Sequence, residues 1–200
     1  VLDGCSPIIE YNVIAGVGGS GINAKTDSEP TIINNTIFDC RYYAAISFGA
    51  LNIQAVQPVI KNNILVRGNN QPVSGILWND IVDPVISYNN VYGFSPNYDY
   101  AYNDNNGWHP HSCGEGAISA DPLFVGDASG NYVWYGSFNL LPGSPSIDAG
   151  DPAAQYNDID GSRNDQGAYG GQRREAGSNS HSGTGFLFTS VGGIPISQIV

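Results

Sequence analysis

The feature that most constrains this chain is a repeat. Four segments align without gaps on a proline: SPIIEYNVI from Ser6, EPTIINNTI from Glu29, QPVIKNNIL from Gln57 and DPVISYNNV from Asp83. An isoleucine stands two places after each proline (Ile9, Ile32, Ile60, Ile86), and an aliphatic residue stands seven places after it (Ile14, Ile37, Leu65, Val91). Between them, five places after the proline, comes an asparagine every time: Asn12, Asn35, Asn63 and Asn89. The prolines Pro7, Pro30, Pro58 and Pro84 are 23, 28 and 26 residues apart. A looser second signal follows three of the units, in SGINA, AAISF and SGILW.

A unit this short cannot bury its own apolar face; stacking units in register buries each against the next. With one unit per turn of a coil, equivalent residues lie about 4.8 Å apart, the spacing of paired strands. The isoleucine positions then form inward stacks, each side chain worth roughly 1.5–3 kcal/mol when fully buried. Asparagine is a poor strand former, because its amide competes for nearby backbone groups. At a bend it gains a purpose: stacked amides bond to those above and below, and asparagine tolerates left-handed backbone. The pattern therefore predicts a strand ending near Asn34, with Asn35 at the corner as one rung of a ladder formed by Asn12, Asn35, Asn63 and Asn89. A proline in every unit and the β-branched content oppose a helical repeat. The leucine spacing of a leucine-rich repeat is missing.

This PxIxxNxI pattern followed by GI resembles the right-handed parallel β-helix repeat of pectate-lyase-like proteins, over about residues 1–95. The resemblance implies an all-β solenoid wound right-handed, as parallel crossovers are. Beyond Phe94 the pattern changes to an irregular loop, SPNYDYAYNDNNGWHPHSCGEG. The blocks DPLF, SPSIDAGDP and DIDGSRNDQGAYGG that follow resemble the final part of bacterial secreted β-helix proteins. That resemblance implies last coils and a C-terminal cap over residues 96–171, with SPSID as one further coil. Residues 172–185 have a linker's composition, and FLFTSVGGIPISQIV forms an apolar, β-prone tail. The chain opens directly in repeat-like sequence, VLDGCSPII, and is expected to be processed or a fragment of a longer coil.

The net charge of −11, with two lysines, argues against a nucleic-acid partner and against anionic membranes, both of which need clustered Lys and Arg. No apolar run approaches the length of a membrane span. Low lysine with abundant Gly, Asn and Tyr fits a secreted or cell-surface protein. Cys5, Cys40 and Cys113 match no zinc spacing.

Chemistry-bearing residues concentrate after the repeat. Asp158, Asp160 and Asp165 in NDIDGSRND suggest oxygen ligands gathered on a tight turn, so calcium is the one cofactor indicated. The calcium-loop pattern is incomplete, and turn formation by Asp and Asn is the competing and preferred reading. Zinc at His109 and His111 would need further ligands, for which Cys113 and Glu115 are candidates, and an exposed loop with a packed tryptophan is the preferred reading there. Tyr98, Tyr100, Tyr102, Trp108 and Trp78 are candidates for stacking on sugar rings, although such side chains also build cores. The resemblance extends to lyases and hydrolases acting in a groove along one coil face. No carboxylate pair or base-plus-metal set stands out among the four units, and catalytic residues are not identified. The leading expectation is a non-catalytic module binding polysaccharide. The alternatives are a self-assembling structural protein using its open coil end and tail, and part of a polysaccharide lyase or glycoside hydrolase.

Overall fold

The computed structural model describes residues 1–25, 27–40, 44–48, 55–68, 74–79, 82–94, 100–104, 107–110, 113–126 and 137–172, with backbone alone at 100–104 and 107–110. The four repeats form successive coils of an all-β solenoid, a right-handed parallel β-helix with three parallel sheets. The first sheet stacks Leu2–Asp3, Ile22–Lys25, Ala44–Phe48, Ser74–Asn79 and Tyr100–Asp104, with Gly107–Pro110 antiparallel at its end. The second stacks Ile8–Glu10, Thr31–Ile33, Val59–Lys61 and Val85–Ser87; the third stacks Val13–Ala15, Thr36–Phe38, Ile64–Val66 and Asn90–Tyr92. A separate hairpin pairs Phe124–Gly126 with Ser137–Leu140. The only helical turn among the described residues is the 3-10 turn Ala154–Tyr156.

Register follows the proline alignment residue for residue. Ile9 pairs with Ile32 and Ile32 with Ile60, while Ile14 pairs with Ile37 and Ile37 with Leu65. These rows, with Ile46, Ile76 and Val91, make one continuous core in which Ile32, Ile60 and Ile76 are 0% exposed. The third sheet is also covered outside. Val13, Phe38, Ile64 and Val66 form a second apolar cluster with Phe124, Phe138 and Ala168. Phe138 meets Phe38 at 5.6 Å and Phe124 edge-on at 5.2 Å.

The asparagine ladder forms as expected. Both the backbone N–H and Nδ2 of Asn12 donate to Oδ1 of Asn35, which does the same to Asn63, and Asn63 to Asn89, at 2.9–3.1 Å. The spare Nδ2 hydrogens of Asn35, Asn63 and Asn89 go to the carbonyls of Ile9, Ile32 and Ile60, one coil back. The left-handed residue, however, is the one before the rung: Tyr11, Asn34, Asn62 and Tyr88 have φ of 58°, 51°, 57° and 54°. Asn34, not Asn35, bends the chain, which leaves the ladder amides free to point along the stack.

The segment beyond Phe94 departs from the expected irregular loop, since Tyr100–Asp104 continues the first sheet and Gly107–Pro110 folds back on it. Alternating tyrosines there suit a pleated strand. Ser87 and Asn90 bridge to Glu115 and Ile118, beginning a further coil. SPSID is not another coil strand. Its residues form turns, and Ser146 Oγ accepts from Asn90 Nδ2 at 2.8 Å. The C-terminal blocks lie along the flank of the stack, on the corner between the second and third sheets. Gln166 donates to Tyr88 O, Gly167 N to Asn62 O, Asn34 Nδ2 to Gly167 O, and Tyr11 Oη to Gln172 O. The segment thereby straps all four repeats together. Gly167, at φ 93°, sits so close to Ile64 that a Cβ there would lie 2.7 Å from its Cδ1.

Candidate functional site

In a coil whose inward rows are spent on the core, chemistry is confined to the outward rows and the turns. The first sheet carries the most polar outward face. Asn23 pairs with Ser47 and Ser47 with Leu77; Asn79 pairs with Asn103, which pairs in turn with Trp108. Ser47 Oγ bonds to Ser20 Oγ at 3.0 Å, and the buried Oδ1 of Asn23 meets no donor among the described residues. Ser47 and Leu77 are buried, as is the Oδ1 of Asn79, and Trp108 shares its register row with Asn79 and Asn103 rather than with Asn23 and Ser47.

The predicted aromatic surface is divided by this register. Trp78 is 4% exposed and packs in the main core, so it is removed from the candidate surface. Its position two residues after Ile76 puts it on the inward side of the strand. Tyr100 and Tyr102 pair with Ile76 and Trp78, and so continue the rows that those core residues occupy one coil earlier. Trp108 stands in the alternate row. Tyr98 and His111 lie outside the described residues.

A second polar group lies at the corner beneath the strap. Lys61 Nζ bonds to Asp151 Oδ2 at 2.7 Å and sits 4.9 Å from the centre of the Tyr156 ring. Burial acts to raise the Asp151 pKa, but the Lys61 ammonium and the Ala153 amide outweigh it and hold the carboxyl below its ordinary value. Arg163 lies 5.8 Å from the Tyr88 ring centre and donates from Nε to Gly150 O at 2.7 Å. A hydrogen bond with the Glu115 side chain raises the Tyr88 phenol. Lys61 therefore serves as a counter-charge holding the strap. The sequence displayed Lys61 and Asp151 but not their pairing, which spans residues 90 apart.

The carboxylates considered for calcium are engaged with the chain itself. Asp158 accepts the amides of Asp165 and Gly171, Asp160 accepts Ser162 N at 2.9 Å, and Asp165 accepts Asp148 N at 2.7 Å. Among the described residues no group of three or more His, Cys, Asp or Glu side chains is placed to hold a metal ion. Burial, reinforced by Asp158 and Asp148 nearby, pushes the Asp165 carboxyl up to about 6. Cys40 is buried, with its thiol pushed up to about 12, which removes it as a nucleophile; Cys5 and Cys113 are exposed and unpaired.

No described helix is long and apolar enough to cross a membrane. A search of curated proteins and a search of solved structures gave no match. Residues 1–139 match a family described as right handed beta helix region. With well over half the chain matched, and with parallel sheets stacked in the register its repeats predict, the chain belongs to the right-handed β-helix family.

Proposed function

We propose that this chain is a secreted or cell-surface β-helix module that binds polysaccharide without acting on it, through the outward face of the first sheet. The observation that supports this reading is the register row Asn79–Asn103–Trp108, which aligns two asparagines and a tryptophan across three strands of the first sheet. Amide and hydroxyl groups match sugar hydroxyls, and an indole packs on the apolar face of a pyranose ring. The resemblance to pectate-lyase-like proteins supports saccharide as the ligand class. The net charge of −11 favours a neutral chain over a polyanion. Catalysis draws no support from the corner, where the Lys61 ammonium is already committed to Asp151.

The test is affinity electrophoresis and glycan-array binding of the whole chain, with and without added calcium. Trp108→Ala and Asn79→Ala are expected to weaken binding, and calcium to leave it unchanged. A blank array, or binding untouched by both substitutions, contradicts the reading. Release of unsaturated or reducing sugar would replace it with an enzyme.

A further inference from the structure

The solenoid has two unlike ends. At one, the first sheet finishes in the antiparallel strand Gly107–Pro110. At the other, Leu2–Asp3, Ile8–Glu10 and Val13–Ala15 are the terminal strands of the three parallel sheets, with no further strand beside them among the described residues. Thr31 N bonds to Pro7 O and Thr36 N to Asn12 O. By the alternation of a parallel ladder, the backbone groups of Ile8, Val13 and Ala15 then face away from the second coil. The asparagine ladder points the same way. Oδ1 of Asn35, Asn63 and Asn89 each accepts two N–H groups from the rung before it, whereas Oδ1 of Asn12 accepts none among the described residues. Leu2 and Ile9 pack on the core at this end but are only partly buried.

We infer that this end accepts one further coil in trans, an extended segment of another chain reading Pro-x-Ile-x-x-Asn-x-aliphatic, added in parallel register. The bonds already made between coils specify it. The incoming proline carbonyl accepts Ile8 N as Pro7 O accepts Thr31 N, and the asparagine carbonyl accepts Val13 N as Asn12 O accepts Thr36 N. The asparagine N–H and Nδ2 donate to Asn12 Oδ1, as those of Asn12 donate to Asn35. Its isoleucine and its aliphatic residue cover Ile9 and Ile14, extending the rows that Ile32 and Ile60, and Ile37 and Leu65, continue on the other side. Main-chain bonds give an added strand its affinity, and the alternate side chains give it specificity. A second copy does not meet the requirement. With Ser87 bridged to Glu115 and Asn90 to Ile118, Ala117 stands in the row of Asn89, so head-to-tail stacking brings no amide side chain to Asn12. Head-to-head stacking brings Asn12 itself, whose Nδ2 is already spent on Glu10 O and Asn35 Oδ1. The partner is therefore a coil of a different chain with an asparagine at the ladder position.

The probe is the synthetic peptide EPTIINNTIF, the sequence of residues 29–38, added to the whole chain while amide exchange is followed by NMR. Exchange at Ile8, Val13 and Ala15 is expected to slow severalfold as peptide is added, with the interior amides of Ile60 and Leu65 unchanged. The peptide carrying Asn35→Ala should lose most of this effect. Asn12→Ala in the chain should lose it as well, the same interior amides reporting an intact fold. A peptide that leaves the three amides unchanged overturns the proposal, and so does equal protection by the alanine peptide. Protection that grows with the concentration of the chain alone also overturns it, and assigns the end to a second copy.

Discussion

The second and third sheets are built from the same repeat, three residues apart, yet their outer surfaces have opposite fates. The third sheet is buried on both faces, because Phe124, Phe138, Ala168 and Tyr169 cover Phe38, Ile64 and Val66. On the second, Ile8 and Val85 stay exposed, although Lys61 lies beneath the strap. The inward rows are set by the repeat, and each depends on its neighbours one coil up and down. The outward rows are set by what the rest of the chain lays across them. In this molecule the coil is scaffold, and the covering segments decide which surface remains available.

The comparison can be broken by truncating one apolar side chain at each face. Phe138→Ala, at the hub of the covered face, should cost about 3 kcal/mol or more by the usual penalty for emptying a buried aromatic site. Val85→Ala on the second sheet should change stability by about 0.5 kcal/mol or less, as exposed substitutions do. Urea unfolding of the two variants decides it. Equal losses would mean that the faces do not differ.

The corner between the two sheets should be the next most sensitive place. Asn63→Ala removes the acceptor for both amides of Asn35 and the donors to Ile32 O and Lys61 O. Stranding these buried groups should cost about 2–3 kcal/mol. Asn12, at the less buried end of the ladder, donates without receiving from a previous rung, and Asn12→Ala should cost about 1 kcal/mol. A smaller effect is expected from Lys61→Met, which frees Asp151 from its counter-charge and should cost about 1 kcal/mol, the value of a partly exposed ion pair. Its distinguishing readout is faster hydrogen exchange confined to residues 144–172, with the coil strands unchanged.

The smallest effect is a pH dependence of the strap. Asp165 has its folded value raised from 3.8 to about 6, so its contribution to stability is complete below 3.8 and is lost as pH rises through about 6. Asp151, with a lowered folded value, works the other way: its contribution is present above 3.8 and fades as pH falls through that lowered value. Thermal melts between these limits should show a gentle fall in Tm with rising pH that Asp165→Asn flattens. An unchanged slope in the variant would assign the fall to other groups.

The coil was legible in the sequence because it is periodic. Proline, isoleucine and asparagine recur at fixed offsets, and each offset corresponds to one physical row. The site was much less legible. Trp78 looks like a surface aromatic until register places it two residues from Ile76, in the core. Asn34 looks irregular because tyrosine replaces it in two coils, yet all four occupants share the left-handed turn. Lys61 and Asp151 lie in unrelated blocks, and nothing local announces that the strap folds back along the corner. Contacts between a repeat and a non-repeating segment have no period to read.

The central claim is that residues 137–172 create the asymmetry between two otherwise equivalent faces. It is tested most directly by carbene photolabelling of the whole chain, comparing Phe38 and Val66 with Ile8 and Val85. The account predicts strong labelling of Ile8 and Val85 and protection of Phe38 and Val66. Comparable labelling of both pairs would contradict it.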